Sequence, residues 1–117
     1  MNALSRQYPE SIRVSMTITE KINNEHYLIS QACSRYPRHQ LSSAQLLQKD
    51  YISQSDLERH VAAPVAMLYC NVRDNLIYLL NDQVSPQEED MEAHRQIISV
   101  MGHDFQFARD SLIKALP

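Results

Sequence analysis

The sequence predicts an all-α fold: one compact domain of four to five helices, arranged as a bundle or an orthogonal array. Three observations carry this expectation. The chain of 117 residues contains a single glycine, Gly102, and no Asn-Gly or Asp-Gly pair. Sheets need tight turns, many of them at positive φ, and this chain has almost none to offer. Apolar residues recur at helical spacing, as in Leu57, Val61, Val65, Leu68, Val72, Leu76 and Leu79. Ser is followed three residues on by Glu or Gln at three expected helix starts, Ser42, Ser55 and Ser85, the pattern of a capping box.

The elements follow in order. Residues 1–8 read as a loose lead-in. A first helix is expected over roughly 10–35, with Val14, Ile18, Ile22, Ile29, Ala32 and Cys33 on one face. Residues 12–18 also alternate like a strand, so the first turns are open to either reading. The helix should stop before Pro37, because the residue preceding proline resists the α conformation. Ser42 to Gln45 forms a capping box for a short helix to about Lys49, and Ser55 to Glu58 forms a second one. The helix that begins there meets Pro64, where a lost hydrogen bond costs roughly 3 kcal/mol. Its apolar stripe continues past the proline, so a kinked helix ending near Asn81 is expected. Ser85-Pro86-Gln87-Glu88 is the clearest helix start, with a cap, a proline at the first position and an acidic first turn. Gly102 is placed to end that helix and Asp104 to cap a last one.

Length and charge set bounds on function. The chain is the size of one domain, 1–117, and can bury a core without disulfide or metal staples. Its net charge of −3 argues against a surface built throughout to grip nucleic acid. The charge is uneven: residues 1–60 carry a balance of +1 and residues 61–117 a balance of −4. Cys33 and Cys70 lack a CxxC spacing and read as buried, reduced thiols. The N-terminal stretch has no apolar core of a signal peptide, and the run from Val61 to Cys70 is too short to span a bilayer. A soluble, cytoplasmic protein without membrane partners is therefore expected.

Catalytic and metal chemistry find little support. The residues three before the five histidines are Asn23, Tyr36, Leu57, Met91 and Val100, so the Glu-x-x-His pattern of di-iron bundles is absent. No HExxH, nucleophile elbow or phosphate-cradling glycine loop occurs. His94 shares a face with Ile97, Ile98 and Met101 and reads as either a core or a functional residue. It is followed by Arg95, Gln96 and Ile97, not by the Lys-Gly pair of histidine phosphotransfer domains. Neither an enzyme nor a cofactor is expected.

Two interaction readings stand. The central helix carries Met67, Ile77 and Tyr78 opposite its main apolar stripe, and a helix apolar on nearly all sides is either central in a bundle or half of an interface. This favours a small regulatory or adaptor protein that presents a helical surface to another protein, or to itself as a homodimer. A chaperone for a secreted or membrane-bound client would share that composition. The alternative lies in residues 44–61, AQLLQKDYISQSDLERHV, which resemble a helix-turn-helix. That resemblance implies base contacts from Gln54, Ser55 and Arg59, with Arg35, Arg38 and Lys49 on phosphates. Two capped helices joined by a short turn are equally a packing unit, so nucleic acid is the second choice of partner.

Overall fold

The computed structural model describes residues 16–36, 50–81 and 88–117. Within them lie four helices and no strand: α1 (Ile18–Arg35), α2 (Gln54–Leu57), α3 (Ala63–Leu80) and α4 (Glu88–Ala115). The all-α architecture is as the sequence predicts. Helices α3 and α4 make the most extensive contact, α1 lies against both, and α2 packs on α3.

Helix α1 starts later than expected, and a cap explains where. The Thr17 hydroxyl accepts the Glu20 backbone N–H, and the Glu20 carboxylate accepts the Thr17 N–H in return. This capping box satisfies two donors that a helix start otherwise leaves open. Met16 and Thr17 precede the helix, while residues 10–15 of the expected span lie outside the described residues. The helix stops at Arg35, and Tyr36 is extended, as the following proline requires. The expected short helix after Ser42 also lies outside the described residues.

The predicted kinked helix is two helices. Ser53, not Ser55, caps the first, its hydroxyl accepting the Asp56 N–H at 3.1 Å. That helix makes a single turn, and the chain bends at 58–62 before α3 begins. Pro64 then sits in the first turn of α3, where its missing N–H has no intrahelical partner to lose. A break at the proline avoids the interior penalty that a kink would incur.

Gly102 does not end α4, and Asp104 does not cap a new helix. The helix runs through both to Ala115. A glycine inside a helix costs about 1 kcal/mol relative to alanine, yet beyond its own helix backbone a Cβ at position 102 would meet no atom of the described residues within 4 Å. Packing therefore does not require glycine there. The helix persists because Ile98, Phe105, Ala108 and Leu112 bury one continuous face across it.

The core joins all four helices. Ile22 and Ile29 from α1, Leu57 from α2, Tyr69 and Leu76 from α3, and Phe105 and Leu112 from α4 are almost wholly removed from water. Each such side chain contributes about 1.5–3 kcal/mol through burial.

Candidate functional site

Two charged residues lie inside this core. Glu25 of α1 and Arg73 of α3 have side chains only 5% exposed, with Oε1 and a guanidinium nitrogen 3.1 Å apart. The same Oε1 accepts the Tyr69 hydroxyl at 3.0 Å, and Oε2 accepts the Ile52 N–H at 2.6 Å. Arg73 also donates to the Ile52 carbonyl at 2.7 Å and to Asp74 at 2.9 Å. Its guanidinium lies 5.2 Å from the centre of the Tyr51 ring and 5.6 Å from that of Tyr69.

The arrangement fastens residues 51–52, which precede α2, to α1 and α3 through both backbone groups of Ile52. Each charge is paired and hydrogen-bonded, the condition under which a buried ion pair is tolerated. Burial pushes the Tyr51 hydroxyl up to about 12, with the Glu25 carboxylate adding to the effect. Tyr69 is raised for the same reasons, chiefly burial. The Tyr69 hydroxyl is fixed by its bond to Glu25, whereas the buried Tyr51 hydroxyl has no hydrogen-bond partner among the described residues and its ring serves as a packing surface for Arg73. The chemistry here is structural.

The sequence carried a signal for this pair. Glu25 falls between Ile22 and Ile29 on the apolar stripe of α1, and Arg73 between Tyr69 and Leu76 on that of α3. Opposite charges at two core positions imply that they meet.

The expected interaction residues separate into two groups. Met67 is 45% exposed and Tyr78 is 76% exposed. They lie eleven residues apart, three helical turns and roughly 16 Å along the outer side of α3. Ile77 is only 6% exposed and belongs to the core. Assigning it to the surface is corrected, because one residue along a helix turns the side chain by about 100°. Leu68 on α3 and Ile97, Val100 and Phe107 on α4 are also exposed, Phe107 at 68%.

The residues of the helix-turn-helix reading are only partly in view. Arg38 and Lys49 lie outside the described residues, as does the first helix of the motif. Ser55 and Arg59 are exposed, and Gln54 is half-buried. The second helix is a single turn whose Leu57 points into the core, so Arg59 stands in the turn that follows it. Arg35 is exposed at the end of α1.

A groove of about 600 Å³ opens between the C-terminal part of α1 and the middle of α4. Ser30, Cys33, Ser34 and Arg35 line one side. Arg95, Ser99, Gly102 and His103 line the other, over Ile98 and Phe105. Burial pushes the Cys33 thiol up to about 11, which keeps it protonated and a poor nucleophile at neutral pH. Cys70 is buried and shifted in the same direction, and both cysteines are free.

No protein-family model, curated protein or solved structure matches this chain. Among the described residues, no group of three or more His, Cys, Asp or Glu is placed to hold a metal ion, and no helix is long and apolar enough to cross a membrane. His94, half-buried on α4, belongs to no such group.

Proposed function

We propose that this protein is a small non-catalytic regulatory or adaptor domain that docks another protein, or a second copy of itself, through the outer faces of α3 and α4. One observation carries the reading. Both helices bury an apolar face and still expose large apolar side chains at helical spacing on another. On α3 these are Met67 and Tyr78, with Asn71 and Asp74 exposed between them. On α4 they are Ile97, Val100 and Phe107.

Single exposed apolar residues are ordinary on any protein surface. Sets repeated on one side of a helix are the pattern of a groove-docking or paired helix. Aromatic and methionine side chains bring large contact area, and polar neighbours keep the free surface hydrated.

Paired substitutions test this reading. Met67→Asp with Tyr78→Asp, and Val100→Asp with Phe107→Asp, should leave the helical circular dichroism spectrum unchanged. At least one pair should abolish self-association in sedimentation velocity, or the retention of a partner that co-purifies with the wild type. Folded variants that keep every association would refute the assignment.

A further inference from the structure

The groove between α1 and α4 is distinct from the outer faces proposed for docking. Two arginines border it. Arg35 makes no ion pair among the described residues, and Arg95 has one exposed carboxylate, Glu92, at 3.8 Å. No Asp or Glu among the described residues lines the groove. Ser30 and Ser99 add hydroxyls, Ser34 has its own O–H donated to the Gln31 carbonyl at 2.9 Å, and His103 is exposed at the rim. Cys33 and Ile98 supply an apolar stretch of wall. Two guanidinium groups with hydroxyl neighbours suit a dianionic oxyanion, for which arginine forks provide paired donors.

The glycine is the second, independent observation. Gly102 lies on the α4 side of the groove, inside a helix that glycine disfavours. Among the described residues nothing stands where its side chain would be, so neither helix packing nor a crowded neighbour there accounts for it. What the missing side chain provides is clearance in the groove. Breaks with local rules of stability are expected at functional or strained sites. The volume falls within the ordinary range of small-molecule sites.

We propose that this groove binds a small phosphomonoester, its phosphate held by Arg35 and Arg95 and its less polar part lying along Cys33 and Ile98 over Gly102. Glycine at 102 keeps that side of the groove open.

Isothermal titration of the full chain at low salt tests the proposal, with AMP and phenyl phosphate as probes and adenosine as the uncharged control. At least one phosphomonoester should bind and adenosine should not. Arg95→Ala and Arg35→Ala should each weaken binding by about tenfold or more, the scale of a lost charge-assisted contact. Gly102→Leu should raise the melting temperature by improving the helix, and at the same time remove binding by filling the groove. Because that variant is stabilised, its loss of binding cannot come from unfolding. Failure of both phosphomonoesters to bind at millimolar concentration would overturn the proposal. So would binding by adenosine of equal strength, or a Gly102→Leu variant that binds like the wild type.

Discussion

Replacing Glu25 by alanine removes an acceptor that three buried donors share. The Ile52 N–H at 2.6 Å, the Tyr69 hydroxyl at 3.0 Å and the Arg73 guanidinium at 3.1 Å all lose their partner. Arg73 keeps the Ile52 carbonyl and Asp74, so its charge is not wholly stranded. Asp74 is exposed, however, and screened by water. Breaking a buried pair from one side costs about 3–5 kcal/mol, a large part of the roughly 5–15 kcal/mol that holds a domain together. Urea denaturation followed by circular dichroism should show the unfolding midpoint of Glu25→Ala far below that of the wild type. A double-mutant cycle with Arg73→Met isolates the pair itself. The double variant should cost less than the two single changes added together, by roughly 1–3 kcal/mol. A loss below about 1 kcal/mol for Glu25→Ala, or strict additivity in the cycle, would refute the network as the fastening of residues 51–52.

Other perturbations have equally definite outcomes. Gly102→Ala should stabilise the protein by about 0.5–1 kcal/mol in the same denaturation assay, since the helix gains propensity and the new Cβ meets nothing. His26 stacks on Phe105 with ring centres 5.1 Å apart, and burial followed by the nearby Arg109 charge lowers its pKa below 6.5. The unfolded chain therefore binds that proton more readily, and this residue's effect on stability worsens as pH falls through 6.5 and below. The stability of His26→Phe should fall less between pH 7 and 5 than that of the wild type, measured by urea midpoints at each pH. With its thiol pushed up to about 11, Cys33 should react slowly with a disulfide reagent near neutral pH, as should buried Cys70, and both should react fast once urea unfolds the chain.

The helical class was legible because it depends on composition, and one glycine in the chain leaves little room for hairpins. Helix ends were harder to read, because several residues compete for each cap. Thr17 and Glu20 form a true box that the alternation of Ile12, Val14 and Met16 drew attention away from. Ser53 and Ser55 are two residues apart, and the choice between them depended on which hydroxyl reaches a free N–H. Pro64 and Gly102 misled in opposite ways. The apolar stripe before and after Pro64 suggested a continuous helix where the chain turns, and Gly102 suggested a stop where the buried face carries the helix on. Tertiary burial outweighed local propensity at Gly102.

The outer surface of α3 was partly legible. Met67 and Tyr78 fall where the helical period puts them, while Ile77 lies one position round, inside. The Glu25–Arg73 pair could have been found from two charges sitting on apolar stripes. The groove could not, because it depends on how α1 and α4 lie together, and no periodicity in either helix specifies that.

The central claim is that the outer faces of α3 and α4 meet another protein, and site-specific photo-crosslinking in the native cells tests it most directly. A benzophenone side chain would replace Tyr78 or Phe107, and in parallel Glu58 or Lys114, which are exposed but lie outside the proposed apolar sets. The account predicts a discrete crosslinked product, to one partner or to a second copy of the chain, from Tyr78 or Phe107 and not from the controls. Equal, diffuse crosslinking at all four positions, or none at Tyr78 and Phe107, would contradict it.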